Sequence, residues 1–273
     1  MNTKAALLRL VSCTFLFGLL FSAVSCSLFR EDLLDLENGE AADISVEELY
    51  KRMTAATDPK GLYAKAKTYK LVQEVESVSE QKSRDFYNTV VLFKDPDFIK
   101  QVSIKNGKAF MMMLYKNGEA WYINPVNMKN QKIPNGTPLN LVKAFTGMLK
   151  PGNQYNQIFK TVDIDVNYQA GKKYYRLICR VDDPGIAPYV FYIDAETYLT
   201  RSLETILYTQ GGGRSLYTAI SEDYAWFSGV KMAKKTLVTV GGKTDVTRIV
   251  SFVLNPELPD ADFSLNEPWI YDK

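Results

Sequence analysis

Histidine is absent from all 273 residues of this chain. That excludes a Ser-His-Asp triad, a Cys-His pair and the His-bearing zinc motifs, and with them much of hydrolase chemistry. Cysteine is nearly as scarce, with Cys13, Cys26 and Cys179 the only three. Cys13 falls in an N-terminal apolar run, and Cys179 sits in the alternation YYRLICRV, where a buried thiol is expected rather than a nucleophile or a disulfide partner. There is no Gly-x-Ser-x-Gly motif and no phosphate loop; Gly211-Gly212-Gly213 lacks a following helix and reads as a turn. The close carboxylate pairs have bland readings: Asp163/Asp165 alternate on a solvent-facing strand, Asp182-Asp183 opens a Pro-Gly turn, and Asp260/Asp262 lie in a Pro-rich terminal loop. No catalytic residue, no metal ligand set and no cofactor is therefore expected, and an enzyme acting on lipids ranks as the weakest reading.

Excess charge is missing too. The formal +2 comes from Lys4 and Arg9 at the N-terminus, and without them basic and acidic residues balance at 31 each. A nucleic-acid partner is excluded on that ground. What the N-terminus does contain is the layout of a secretory signal: Lys4 and Arg9, an apolar run from Leu10 to Phe21, and small residues up to Cys26. The run is shorter than the roughly 20 residues a membrane-spanning helix needs. Ala23-Val24-Ser25-Cys26 resembles the bacterial lipobox, which implies a signal peptide over 1–25, lipid attachment (diacylglyceryl and palmitate-type acylation) at Cys26, and a lipidated, acidic tether over 26–44. Ordinary cleavage, leaving Cys26 a free thiol, is the competing reading. Ser27 in place of Asp at the following position favours the outer membrane, facing the periplasm.

The remainder, 45–273, is predicted as a single domain. Ser45 and Glu48 form a capping box with Ile44 and Leu49 as its hydrophobic staple, and Val46, Leu49, Tyr50, Met53 and Ala56 follow helical spacing up to Asp58-Pro59. Strand-like runs begin at Lys67 and are interrupted once, by the apolar helix-like PLNLVKAFTGML. They resume at IFKTVDIDVNY and continue through KTDVTRIVSFVL. The fold class is mainly β with two or three helices, an antiparallel sheet or barrel of about 11 strands.

Two turns let register be argued. A two-residue turn at Asn106-Gly107 pairs Ile104 with Ala109, Val102 with Met111 and Ile99 with Leu114. One at Asn117-Gly118 pairs Leu114 with Trp121, Met113 with Tyr122 and Met112 with Ile123. One face then collects Phe98, Val102, Ile104, Met111, Met113, Tyr115 and Tyr122; the other collects Ile99, Phe110, Met112, Leu114, Trp121 and Ile123. Both faces are apolar, so each must be covered or must border a cavity. The cavity candidates are Ile99, Phe110, Met112, Leu114, Trp121 and Ile123, with Phe145, Met148 and Leu149 from the mid-chain helix.

From about Ser45 to Leu265, several features together resemble the LolA/LolB-like superfamily of outer-membrane lipoprotein-sorting (lipoprotein localisation) proteins. They are the amphipathic helix, Lys94-Asp95-Pro96-Asp97, the hairpin IKNGKAFMMMLYKNGEAWYINP, the mid-chain helix, and the turn Tyr192-Ile193-Asp194-Ala195-Glu196-Thr197. The resemblance implies an incomplete antiparallel β-barrel wrapped on helices, with a hydrophobic cavity for acyl chains of lipoproteins or lipids. It implies as partners acylated lipoproteins or lipids, with the membrane reached through the Cys26 lipid. Asp194 and Thr197 match a recurring turn of that family and carry a structural role. A non-catalytic structural or interaction protein with a filled cavity is the alternative, and the 17 tyrosines suit an interface.

Overall fold

The computed structural model of the protein describes residues 34–265 except 79–83, 128, 153–154 and 209–212. The expected signal segment, Cys26, the first part of the expected tether and Gly211-Gly212 lie outside the described residues.

Helix α1, Val46–Thr57, starts where its cap dictates: Ser45 is extended and its Oγ accepts the Glu48 amide at 3.2 Å. The chain then builds β2 (Thr68–Val78), β3 (Arg84–Lys94), β4 (Phe98–Lys105), β5 (Lys108–Lys116), β6 (Glu119–Asn124) and a short β7 (Lys129–Lys132). Helices α2 (Thr137–Leu149) and α3 (Tyr155–Ile158) interrupt. A second run follows: β8 (Thr161–Gln169), β9 (Lys172–Arg180), β10 (Tyr189–Asp194), β11 (Thr200–Tyr208), β12 (Arg214–Phe227), β13 (Val230–Val240) and β14 (Lys243–Leu254). A 3-10 turn at Asp260–Phe263 closes the described chain, and β1 is the two-residue strand Glu40–Ala41.

All fourteen strands join one antiparallel sheet in the order β1-β8-β9-β10-β11-β12-β13-β14-β2-β3-β4-β5-β6-β7. The two meanders meet where β14 pairs with β2, and β1 and β7 remain as edges, so the barrel is incomplete. The count exceeds the expected eleven or twelve partly because β1 and β7 are too short and polar to register as apolar alternations. The inner face of both meanders feeds one core cluster: Tyr69, Phe93 and Met113 from the first, Tyr175, Leu177, Leu207 and Tyr217 from the second, with Leu49 of α1 and Leu139, Val142 and Phe145 of α2.

The Asn-Gly turns form as their residues require, with φ of 52° and 72° at Asn106-Gly107 and 53° and 77° at Asn117-Gly118. The β5–β6 register is the one expected. The β4–β5 register is not, because a bulge shifts it between Ser103 and Ile104: Ile104 pairs with Ala109, but Ser103 pairs with Met111, Val102 with Met112 and Ile99 with Tyr115. One extra residue flips every side chain beyond it to the opposite face. Ile99 therefore joins Phe110, Met111, Met113, Tyr115 and Tyr122 in the inner cluster, while Phe98, Val102 and Ile104 join Met112, Leu114, Trp121 and Ile123 on the outer face.

That outer face is covered by the chain's ends. Over β3 to β6, Phe263 (1% exposed), Leu258 and Leu265 pack on Val90, Leu92, Val102, Met112, Leu114 and Ile123. Two lysines tie this C-terminal strap down: Lys100, buried, donates to Asp262 O at 2.7 Å, and Lys94 donates to Leu258 O at 2.9 Å. Over β9 to β11, Leu34 and Leu36 pack on Tyr174, Ile178, Val190, Tyr192 and Ile206. The expected tether is thus docked from Leu34 onward rather than free. Beneath it lies Arg176, 0% exposed, with Nε and Nη2 on the two Asp165 oxygens at 2.8 and 2.6 Å and Nη1 donating to Asp35 O. Asp165 is therefore not a solvent-facing carboxylate, as its strand alternation suggests, because the strap covers it. Gly39 is required at this crossing: an added Cβ would fall 2.1 Å from Asp165 Oδ2 and 2.8 Å from Arg176 Nη2.

Candidate functional site: the helix-covered inner face

Helix α2 is apolar nearly all round, with Leu139, Leu141, Val142, Ala144, Phe145 and Thr146 buried and Lys143 exposed. A helix of this kind is stable only when surrounded, and it plugs the inner face of the sheet. Phe145 meets Tyr189 edge to face at 5.8 Å, and Phe159 and Tyr155 continue the aromatic packing onto Phe191. Gly147 allows α2 to approach α3 closely, since a Cβ there would lie 3.0 Å from Ile158 Cγ2.

Polar latches hold both ends of the plug. Gly136 precedes α2 without a side-chain cap, and Asp183 of the β9–β10 connection instead holds side chains of the first turn, accepting from Thr137 Oγ1 at 3.2 Å and Asn140 Nδ2 at 2.9 Å. A carboxylate there also suits the positive end of the helix dipole. Asp183, expected as a plain turn residue, is thus also a latch. At the other end, the Tyr63 and Tyr69 hydroxyls donate to Leu149 O at 2.7 and 2.9 Å, and Lys150 pairs with Asp97. Burial raises both phenols above the ordinary tyrosine range, which keeps them as neutral donors. Asp97 belongs to the Lys94-Asp95-Pro96-Asp97 stretch and also accepts the Gly118 amide of the second Asn-Gly turn at 3.2 Å.

The expected cavity residues separate into two groups. Ile99 and Phe110 of the sheet meet Phe145, Met148 and Leu149 of the helix in the inner cluster. Met112, Leu114, Trp121 and Ile123 lie on the outer face beneath the C-terminal strap, on the far side of the sheet from α2. The inner residues that the register argument missed include Met111 and Met113, each 0% exposed, and the Tyr69–Phe93 stack at 5.3 Å. The sequence offers for that stack only one aromatic near the start of β2, Tyr69, and one near the end of β3, Phe93.

The inner face is closely filled. A cavity of about 30 Å³ remains between Thr137, Leu141, Tyr189, Thr205 and Leu207, roomy enough for about one water. A cleft of about 310 Å³ opens beside α2 between Tyr115, Asn140, Lys143, Lys150, Gln157 and Asp182. Among the described residues, five buried side-chain polar atoms have no hydrogen-bond partner: Tyr189 Oη, Thr89 Oγ1, Ser103 Oγ, Asp245 Oδ1 and Asp97 Oδ1, the last of which is ion-paired with Lys150. Tyr189 borders the small cavity. Burial raises the Asp245 carboxyl to about 6. Cys179 is fully buried, and burial pushes its thiol far above the reactive range. Among the described residues, no group of three or more His, Cys, Asp or Glu is placed to hold a metal, and no helix is long and apolar enough to cross a membrane. The Asp194 carboxylate accepts the Glu196 and Thr197 amides and the Thr197 hydroxyl at 2.8–3.1 Å, which closes the β10–β11 turn.

No protein-family model and no curated protein matches the chain by sequence. Solved structures do match by shape. A LolA superfamily protein from Nitrosomonas europaea superposes with a TM-score of 0.56 at 12% identity, over 81% of this chain and 98% of that one. A putative outer membrane lipoprotein-sorting protein domain from Vibrio parahaemolyticus gives 0.53 at 14%, over 80% and 97%. A DUF1329 family protein from Desulfovibrio piger gives 0.55 at 13%, over 80% and 95%. An open antiparallel sheet wrapped on a central helix plug, matching these structures over four-fifths of its length, is a LolA-like fold.

Proposed function

We propose that the protein is a lipid-anchored protein of the bacterial cell envelope that accepts acyl chains of lipoproteins or lipids on its inner face, acting in lipoprotein sorting or lipid transfer rather than in catalysis. The observation that carries this reading is the plug. Phe145, Met148 and Leu149 of α2 occupy the space an acyl chain would take, and α2 is fixed at its ends by polar latches rather than by continuity with the sheet. Swinging α2 outward would expose Ile99, Met111, Met113 and Phe145 to a ligand. Each buried methylene would contribute about 0.8 kcal/mol, so chain length alone supplies affinity. Anchoring would come from Cys26 and would place the body at the outer membrane, facing the periplasm; palmitate labelling abolished by Cys26→Ala is the expected outcome.

A cysteine pair tests the plug directly. A Cβ on residue 185 would sit 2.8 Å from Thr137 Oγ1 and 3.1 Å from its Cγ2, within disulfide reach. Thr137→Cys with Gly185→Cys, oxidised, should abolish uptake of a fluorescent fatty acid, and reduction should restore it. Unimpeded uptake by the locked protein would refute entry under α2. The small volume left inside supports a second reading, a non-catalytic interaction protein with a permanently filled interior. Under that reading neither the locked nor the reduced protein takes up fatty acid, and lipid mass spectrometry of the purified protein finds none.

A further inference from the structure

The cleft beside α2 has a different character from the plug above it. Its floor is continuous with the inner core through Tyr115, Ala144, Ile158 and Val181, while its rim is polar, with Asn140, Lys143, Lys150, Gln157 and Asp182. A site with an apolar floor and a polar rim suits an amphipathic ligand entering head outward. The sign of the head follows from which rim charges are already satisfied. Lys150 is paired with Asp97, and Asp182 is held by Lys160 at 2.5 Å. Lys143 has neither an ion pair nor a side-chain hydrogen bond, and α2 carries no acidic residue that could reach it. The free charge of the rim is therefore one ammonium. Beside it, the Asn140 amide and the Tyr115 hydroxyl complete the polar lining. Tyr115 is pushed up to about 12 by burial and by the Asp97 carboxylate, so its hydroxyl stays protonated.

We infer that this cleft seats the anionic head group, a carboxylate or a phosphate, of the acyl ligand whose chain lies under α2, with Lys143 as the residue that selects it. The inference rests on the acyl-binding reading and specifies its ligand class. The geometry favours a head at the rim because α2 presents Ala144 and Gly147, its two smallest residues, to the cleft beside the apolar floor, while Asn140 and Lys143 of the same helix stand at the rim.

The test uses paired ligands that differ only in head charge: palmitate against cetyl alcohol for a carboxylate, and lysophosphatidate against monopalmitoylglycerol for a phosphate. Each competes with a fluorescent fatty acid on the purified protein. The expected result is that at least one anion binds roughly tenfold tighter than its neutral partner, the size of one charge-assisted hydrogen bond. Lys143→Gln should remove that preference and leave the neutral ligands unchanged, while Lys234→Gln, an exposed lysine of β13 that does not line the cleft, should change nothing. Which pair shows the preference identifies the head. Equal binding of charged and neutral ligands, or a preference that survives Lys143→Gln, overturns the head-group site while leaving acyl binding standing. Failure of all four ligands to bind overturns the acyl-binding reading itself.

Discussion

Replacing Asp165 by Asn should be among the most damaging single changes outside the inner core. Arg176 is fully buried under the N-terminal strap, and Asp165 neutralises it through both carboxylate oxygens. The Asn side chain keeps the shape but leaves a buried guanidinium with the Asp35 carbonyl and the Tyr192 hydroxyl as its remaining hydrogen-bond partners and with no carboxylate in direct contact, since Asp35 Oδ1 stands 3.9 Å away. Leaving one member of a buried pair without its counter-charge costs about 3–5 kcal/mol. For a domain of this size that corresponds to a fall in Tm of roughly 10 °C. The double variant Asp165→Asn with Arg176→Met should recover most of that loss, because Met fits among Tyr174, Ile178 and Tyr192 and the buried guanidinium is gone. Urea and thermal denaturation of the four proteins give the coupling energy, expected to be about 2–3 kcal/mol. Limited proteolysis reads the strap itself, with cleavage between Leu34 and Ala41 appearing in Asp165→Asn first. If Asp165→Asn stays within about 1 kcal/mol of the parent and the strap stays protected, the pair is not what holds the N-terminal segment down.

The C-terminal strap should respond to Phe263→Ala, which removes a buried ring packed at 5.7 Å on Phe98 and should cost about 3–5 kcal/mol in urea unfolding, with proteolysis starting near Asp260. Asp245 gives a pH test. Its folded carboxyl titrates near 6 against 3.8 for the ordinary group, so the folded state holds that proton more tightly. The resulting stabilisation is complete below the unfolded value and is lost as pH rises through about 6. Asp245→Asn should therefore be more stable than the parent at pH 7, by ~2 kcal/mol, and equal to it near pH 4; a parent protein that gains stability across that interval contradicts the assignment.

Much of the fold was legible residue by residue. The Ser45 capping box set the start of α1, and the two Asn-Gly pairs set two hairpins because only residues tolerant of positive φ make those turns. The two-faced apolar character of β4 to β6 correctly required cover on both sides. The Asp165–Arg176 cross-strand pair was also within reach, since a two-residue turn at Ala170-Gly171 places the two residues opposite each other. What escaped was the bulge at Phe110. No composition marks it, and it moved Met112, Leu114, Trp121 and Ile123 away from the helix that the candidate site shares with Ile99 and Phe110.

By itself the sequence determined the periodicities: which segments alternate, where they turn, which chemistries are missing, and that the sheet would have no wet face along β4 to β6. Those properties depend on neighbours a few residues apart. Tertiary structure alone decided what covers each face, because covering is a contact between segments far apart in the chain. Leu34 on Ile206, Phe263 on Phe98, and Asp183 on the first turn of α2 are such contacts. The same reason explains why an apolar face bordered by Phe145, Met148 and Leu149 of the mid-chain helix was foreseeable, but not which face of β4 to β6 that helix would meet. Alternation shows that a surface avoids water, and only the folded chain shows what it touches instead.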